Sequence, residues 1–453
     1  MINKTKAFFT QGNSRSIAAK KNIVGSIVIK GLSIAISLLM VPLTIHYVNP
    51  SQYGIWLTLS SMVAWISFFD IGFTQGLRNK FAEAKAKGEL HLAKIYVSTA
   101  YFFISIIFIS LWIVLMVINR FVDWSILLNL PQEMNFEIIN LASIVITYFC
   151  LQFIFKIINT LLIADQMPSL ASFLDLLGQM LSLLVIYLLT IYTKGSLLNL
   201  GLALTIAPII IVIGANFFFF RTKYKDFAPS FDYVKKEYTK DIVSLGLKFF
   251  VVQIAAVIQY QTILFLIAHY FNTLQVTSYN IAFKYFGVLQ MVFMILVTPL
   301  WSGATDAYTK GDFDWIRNAV KKYLFILIFF VIVGSVMLYF ADTIYGLWLG
   351  KNTIYVPFTI SLLCYLFFSV SMFGSIFVFV INGIGALKLQ FYTSFITAIG
   401  FVGLSIALIK IFHFGIESIL ISSIISNVFG LIIAPLQYYN IIMKKSKSKI
   451  WHA

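Results

Sequence analysis

Four lysines lie inside long apolar runs: Lys30, Lys156, Lys248 and Lys284. A lysine at bilayer depth is costly unless it faces protein or water, so each is a candidate functional residue. We predict that Lys30, Lys248 and Lys284 line a water-accessible cleft, whose fixed ammonium groups would attract an anion such as phosphate. Lys156 lies near the end of its run, and we favour a side chain that reaches the headgroups. Snorkelling or local pairing is thus the favoured interpretation for Lys156, and it stays open as the alternative for the other three.

A few other polar residues lie in or beside the apolar runs. Asp70, in FFDIGFTQGLRNK, is a candidate carrier of a coupling ion, H+ or Na+, or a structural partner of Arg78 at a cytoplasmic gate. Gln253, Gln259 and Asn280 are neutral groups suited to sugar hydroxyls. We expect no cofactor beyond a coupling ion.

Signatures of other chemistry are missing from the sequence. It has no Walker-type loop, no zinc-ligand cluster and no Ser-His-Asp arrangement in its polar segments. The longest loop on the side with few basic residues, NRFVDWSILLNLPQEMNFE, is short for a catalytic domain. We therefore predict no catalytic residues, no metal site and no enzyme activity.

The composition sets the elements that must position these side chains. Of 453 residues, 60% are hydrophobic and 11% are charged, with a mean hydropathy of +0.92. Lipid must be the solvent for most of such a chain, and continuous apolar runs of about 20 residues predict helices rather than barrel strands. We predict an all-α polytopic protein with twelve membrane helices, at about 22–46, 53–72, 95–118, 137–162, 172–193, 198–220, 242–268, 275–303, 320–341, 356–382, 389–412 and 416–443.

The net charge of +16 follows the predicted topology. Of 33 Lys and Arg residues, 25 fall in the two tails and in alternate loops or the helix ends beside them. Four lie in loops or at helix ends on the opposite side, Arg120, Lys194, Lys351 and Lys410. By the positive-inside rule this asymmetry places both termini of the predicted multi-pass protein in the cytoplasm. The basic balance then reflects topology, and we expect no nucleic-acid partner.

Two halves of the chain share landmarks at one spacing. The stretches TIHYVNPSQ and IAHYFNTLQ place His46 and His269 at a numbering offset of 223. Lys87 and Lys310, in matching loops, have the same offset. These landmarks predict two six-helix halves in a parallel repeat. We favour interfacial anchors over a shared metal or proton site for the two histidines.

The repeat gives the predicted domains. They are a basic cytoplasmic tail at 1–21, a first six-helix lobe at 22–220, a cytoplasmic linker at 221–241, a second lobe at 242–443 and a basic tail at 444–453. Two such lobes facing one another would form a central cleft, and rocking would open it to alternate sides of the membrane.

The opening of the first lobe resembles bacterial polysaccharide exporters of the Wzx type, flippases of the multidrug/oligosaccharidyl-lipid/polysaccharide (MOP) superfamily. The similar stretch is VPLTIHYVNPSQYGIWLTLSSMVAWISFFDIGFTQGLRNKFAEAKAKGE, with TPLWSGATDAYTKGDFDWI in the second half. The matching positions are Pro42, Tyr53, Gly54, Asp70, Gly72, Gly76, Asn79, Gly88, Trp301, Gly311 and Asp312. One departure is Gln259 and Gln261, where many members carry an acidic residue or Asn.

The resemblance implies a V-shaped, MATE-like pair of lobes. It also implies transport of undecaprenyl-diphosphate-linked sugar units, O-antigen, capsule or related, to the outer leaflet, with a cationic cavity that binds the diphosphate. Polysaccharide polymerase and assembly proteins would be partners. A multidrug exporter of the same superfamily is the alternative transporter, but lysines in a cleft repel cationic drugs. A membrane glycosyltransferase or polymerase, or a scaffold in polysaccharide assembly, remains a competing hypothesis.

Overall fold

The computed structural model describes residues 14–66, 73–240, 261–444 and 448–452, and these ranges contain helices and no strands. The chain forms two compact units. Unit 1 comprises Met1–Asn49 and Met62–Gln253, and unit 2 comprises Pro50–Ser61 and Ile254–Ala453. Four candidate site residues, Asp70, Lys248, Gln253 and Gln259, lie outside the described residues.

Helices α1 to α9 belong to the first half of the sequence. Their bounds are α1 Ser14–Tyr47, α2 Pro50–Val63, α3 Phe73–Ala86, α4 Leu90–Asn119, α5 Trp124–Leu128, α6 Asn135–Phe155, α7 Ile157–Ala164, α8 Pro168–Tyr192 and α9 Leu197–Arg221. In unit 1, α1 and α9 both pack along α8, and α6 packs between α9 and α4. Three short 3-10 turns follow α9, at Lys225–Phe227, Phe231–Tyr233 and Lys236–Tyr238.

Helices α10 to α18 belong to the second half. Their bounds are α10 Gln261–Tyr270, α11 Thr273–Thr309, α12 Phe313–Tyr339, α13 Ala341–Leu349, α14 Phe358–Ile384, α15 Lys388–Lys410, α16 Glu417–Ser426, α17 Ala434–Tyr438 and α18 Lys449–His452. In unit 2, α14 is the central element and packs against α11, α12 and α16. Two π-helical turns, Phe429–Ile433 and Tyr439–Met443, flank α17, where Pro435 interrupts α-helical hydrogen bonding.

Ten helices within the described ranges are long and apolar enough to cross a membrane. They correspond to ten of the twelve helices predicted from the sequence, so the all-α polytopic fold is confirmed. The second and seventh predicted helices run through residues 67–72 and 241–260, which the structure does not describe. The predicted lobe bounds stay predictions, and the second predicted helix, assigned there to the first lobe, contributes Pro50–Ser61 to unit 2.

The repeat offset of 223 reappears in the backbone. Helices α4 and α12 begin at Leu90 and Phe313, and each is preceded by a glycine with positive φ, 77° at Gly88 and 73° at Gly311. Glycine adopts this conformation without the steric cost that a Cβ atom imposes. Both turns therefore join two antiparallel helices in the same way, at equivalent positions of the repeat.

Candidate functional site

Lys284 lies within an apolar helix, about a third of the way along it. It is in α11, about 17 Å along the axis from Thr273 at 1.5 Å per residue. Its side chain is half-buried, and Nζ donates a hydrogen bond to Tyr53 Oη at 3.4 Å. Among the described residues, Lys284 has no carboxylate within 4.0 Å. An ammonium group at membrane depth without an acid partner is costly unless water or an anionic ligand solvates it.

Tyr53 joins Lys284 to Asn280. The tyrosine is 4% exposed, accepts from Lys284 and donates to Asn280 Oδ1 at 3.5 Å. Asn280 and Lys284 are four residues apart on α11, so they share one face of the helix. Both contacts are long for hydrogen bonds, so Tyr53 holds the ammonium group of Lys284 only loosely. A charged acceptor from a ligand would therefore compete well for Nζ.

Small residues set the position of Tyr53. An ideal Cβ atom on Gly54 would stand 1.8 Å from the carbonyl oxygen of Thr273, so α2 approaches α11 more closely there than any other residue allows. Ser51 Oγ lies 2.9 Å from Thr273 Oγ1, and Thr277 Oγ1 donates to the carbonyl oxygen of Pro50 at 2.6 Å. Small residues of this kind permit backbone approach between membrane helices.

The other described lysine candidates, Lys30 and Lys156, have different surroundings from Lys284. Lys30 is exposed on α1 beside exposed Val28 and Leu32, and its proposed place in a cleft stays a prediction. Lys156 lies at the junction of α6 and α7 and forms an ion pair with Asp175 at 3.1 Å. Lys156 therefore pairs locally, as one part of the interpretation favoured for it from the sequence. Asp175 lies within α8, and both side chains are 42% exposed.

The remaining described sequence candidates are Arg78 and the two histidines. Arg78 is exposed on α3, and its predicted partner Asp70 lies outside the described residues. His46 is exposed at the end of α1, beside Tyr47, whose hydroxyl lies 2.9 Å from Thr193 Oγ1. His269 stacks on Phe265 at 5.6 Å. Both histidines end helices beside anchored or packed rings, and the described residues contain no cluster of metal-ligating side chains.

A second polar cluster lies in unit 1, and its charged side chains form ion pairs with one another. Asp165, just after α7, forms ion pairs with Lys85 at the end of α3 and with Lys223 after α9, the latter at 2.5 Å. Buried Tyr224 donates a further hydrogen bond to it at 3.3 Å. Burial of Asp165 opposes its ionisation, but the two lysines outweigh that effect and hold its pKa below the ordinary value. Every charged group of the cluster is ion-paired, and the cluster joins three segments, which indicates a structural role.

Two functional contacts could not be foreseen from the sequence. In the sequence, Tyr53 stands out only because it precedes Gly54 among the positions that match the exporter family. The available signal was the glycine next to the tyrosine in an apolar helix, which is typical of a close helix crossing. Asp165 gave no signal, because both of its lysine partners lie far away in the sequence.

No family model matches the chain. It is 20% identical over 374 residues to a Salmonella typhi protein assigned as an O-antigen transporter, covering 82% of this chain and 84% of that protein. It is 19% identical over 361 residues to a Yersinia pseudotuberculosis protein assigned as an O-antigen export protein, covering 79% of this chain and 81% of that protein.

Solved structures with the same fold are transporters. An inward-facing multidrug resistance MATE family transporter of the MOP superfamily superposes with a TM-score of 0.77 at 14% identity, covering 92% of this chain and 96% of that one. An outward-facing structure of such a transporter gives 0.64 at 15% identity, covering 98% and 99%. The comparisons confirm the predicted MATE-like fold of a multi-pass membrane protein and the resemblance to O-antigen exporters. The relatives and the structural neighbours are themselves named as transporters or export proteins and not as enzymes.

Proposed function

We propose that the chain exports lipid-linked oligosaccharides. The cargo would be an undecaprenyl-diphosphate-linked sugar unit of O-antigen, capsule or a related polysaccharide, moved from the cytoplasmic to the outer leaflet of a bacterial inner membrane. The observation that carries this proposal is the ammonium group of Lys284, half-buried in an apolar helix without an acid partner among the described residues. The relatives assigned to O-antigen export support the cargo class.

A diphosphate headgroup suits this arrangement. Hydrogen bonds between a lysine and a phosphate oxygen are charge-assisted, and they gain strength where the surroundings exclude bulk water. Lys284 gives one of its three N–H donors to Tyr53, and the side-chain amide of Asn280 offers further donors nearby. A ligand with anionic oxygens and sugar hydroxyls would use both groups.

Transport would use the two related halves. In the proposed cycle they rock about the cleft, which is the alternating-access mechanism of transporters built from repeats. For Asp70 two roles are proposed: a structural contact to Arg78 at a cytoplasmic gate, which we favour slightly, or binding of a coupling proton or sodium ion by its carboxylate. The charge asymmetry of the loops supports an inner-membrane protein with cytoplasmic termini, and polymerase and assembly proteins are proposed partners.

A multidrug exporter is the second candidate function, because the structural neighbours include multidrug transporters. The described polar site of unit 2 speaks against cationic drugs, since an unpaired ammonium repels them and attracts anions. Loss of polysaccharide export with unchanged drug tolerance in a deletion strain would separate the two functions.

The decisive genetic experiment is complementation of a deletion strain. Lys284→Ala should lower surface polysaccharide about 10- to 100-fold, the loss expected when a charged hydrogen bond worth about 1.5–3 kcal/mol is removed. Lys284→Arg should retain part of the activity because it retains the charge. Lys310→Ala, from the turn after the same helix, is the matched control and should export normally.

Protein level in the membrane is measured for every variant. Lipid-linked oligosaccharide should accumulate on the cytoplasmic leaflet of the Lys284→Ala strain. Normal export by Lys284→Ala, at the protein level of the Lys310→Ala control, would rule out the proposed role of this lysine.

A further inference from the structure

Unit 2 contains a separate cavity at one end of the helices. It has a volume of about 570 Å³ and lies between α13 and the loop that leads to α14. Its lining includes Asp342, Gly346 and Leu347 from the helix and Lys351, Asn352 and Tyr355 from the loop. The volume is that of a typical small-molecule site. The cavity lies at the end of α12 opposite the basic loops, the end that the charge asymmetry places outside the cytoplasm.

The walls of the cavity are fixed by hydrogen bonds. Ser278 Oγ, on α11, donates to the carbonyl oxygen of Tyr355 at 3.0 Å and ties the loop to the helix that carries Lys284. Tyr345 and Ser361 hydroxyls lie 3.0 Å apart and hold α13 against α14. Thr353 Oγ1 donates to the carbonyl oxygen of the last residue of α13 at 2.9 Å. The cavity is therefore built on packed elements, which gives a site its precision.

Aromatic and polar groups both line the cavity. The side chain of Tyr355 is 76% exposed, so its ring face is free to stack on a ligand. Asp342 and Asn352 are exposed polar groups whose oxygen and amide atoms suit hydroxyl groups. There is free space beside Gly346 in the cavity wall, because a Cβ atom at this position would meet nothing within 4 Å.

The charge balance of the cavity separates it from the Lys284 site. Asp342 and Lys351 both line it, and neither forms an ion pair with another described residue. One acid and one base leave the cavity near neutrality. A carboxylate on its wall opposes a phosphate group. An uncharged ligand with many hydroxyls and one apolar face matches these walls better than an anion does.

We propose that this cavity is a saccharide-binding site, in which Tyr355 stacks on a sugar ring while Asp342 and Asn352 hydrogen-bond to its hydroxyls. The inference rests on the proposed export function, since it gives the sugar part of the cargo a place to bind at the exit side. It assigns recognition of the glycan and recognition of the diphosphate to different residues of unit 2.

Saturation-transfer NMR on the purified full chain in detergent tests the site. The probes are four disaccharides, maltose, lactose, cellobiose and chitobiose. Saturation transfer to at least one of them is expected, and Tyr355→Ala should lower it about fivefold by removing the stacking surface. Gly346→Leu, which fills the cavity from a helix with free space around the position, should lower it to a similar extent. Asp342→Asn should lower it less, because the amide keeps an acceptor.

Tyr339→Ala is the matched control, since Tyr339 is 82% exposed at the end of α12 and does not line the cavity. It should leave saturation transfer unchanged. No transfer to any of the four disaccharides, or equal transfer in all variants, would overturn the proposal. Displacement of the sugar signal by phosphatidylglycerol would overturn it in favour of a lipid headgroup.

The lysine variant separates the two proposals. Lys284→Ala should keep disaccharide binding while losing export. Sugar binding with normal export in Lys284→Ala would contradict the proposed function alone. Loss of export without any sugar binding would contradict the cavity alone.

Discussion

Residues 50–86 and 273–309 are the same stretch of the two halves, at the offset of 223, and their described residues differ in conformation at 64–66. In the second half the stretch is one helix of 37 residues, α11. In the first half α2 ends at Val63, a 3-10 turn covers residues 64–66, and the next described residues begin α3 at Phe73. The two halves therefore share the first and last residues of the stretch, but residues 64–66 are not α-helical as their counterparts in α11 are.

The ends of the two stretches are nearly identical. Lys87 pairs with Glu83 and Lys310 pairs with Asp306, each at 2.7 Å. Both pairs span one helical turn, and each is followed by a glycine of positive φ. Exposed pairs of this kind contribute little stability, so the shared feature that matters is the tight turn.

The chemistry of the two stretches differs more than the backbone. Asn280 and Lys284 correspond to Leu57 and Ser61 at the same offset. The first half has no ammonium group at that place. The comparison indicates that the repeat provides a common scaffold and that one copy of it carries the proposed anion-binding group.

The largest effect is expected where α2 meets α11. Gly54→Val would place side-chain atoms against the carbonyl oxygen of Thr273 and separate Tyr53 from Lys284. Overpacking costs about 1–3 kcal/mol. Export should fall at least about tenfold, because the positioned tyrosine is lost as well. Gly403→Val, at a position with open space, is the control and should export normally. Normal export by Gly54→Val would contradict the close crossing.

A smaller effect is expected from the ion-paired cluster of unit 1. Asp165→Asn leaves Lys85 and Lys223 without their acid and should lower the free energy of unfolding by about 1–3 kcal/mol, read as a lower melting temperature in detergent. Asp306→Asn removes only an exposed pair and should change nothing measurable. Equal melting temperatures for the two variants would show that Asp165 is not a structural clamp.

The same cluster predicts a response to acid. The folded-state pKa of Asp165 is lowered, so its contribution to stability is complete above the unfolded value of about 3.9 and is lost as pH falls through the folded pKa. The wild-type protein should therefore lose more melting temperature on acidification than Asp165→Asn. Parallel acid curves for the two proteins would contradict the role of the ion pairs.

The smallest effect concerns the shared turn. Gly88→Ala and Gly311→Ala each force a Cβ atom into the left-handed region, which costs about 1–2 kcal/mol. The two variants should be destabilised equally in melting experiments, because no other atom lies within 4 Å of either added Cβ. A large difference between them would show that the two turns are not equivalent.

Much of the fold was predictable because it follows from apolar length and from a repeated spacing. Apolar runs locate ten of the helices, and the offset of 223 locates both turns. The N-terminal caps of α11 and α12 also depend on neighbouring residues only. The side chains of Asn272 and Asp312 accept hydrogen bonds from the backbone amides of Gln275 and Trp315, three residues later.

The candidate site was predictable only in part. Lys284 and Asn280 stand out in the sequence as polar residues in an apolar run. Their connection through Tyr53 depends on a crossing between helices from opposite halves of the sequence, which no local pattern encodes. The pairing of Lys156 with Asp175 was missed for the same reason, because charge counting by depth does not show which helices are neighbours.

The most direct test is the binding of an isoprenoid diphosphate to the purified protein. Titration calorimetry would compare farnesyl diphosphate with farnesyl monophosphate and farnesol, using wild type and Lys284→Ala. We predict that the wild type prefers the diphosphate and that Lys284→Ala weakens this binding about tenfold or more, while farnesol binding stays the same. Equal affinity of both proteins for the diphosphate would contradict the claim that the unpaired ammonium of Lys284 recognises an anionic cargo.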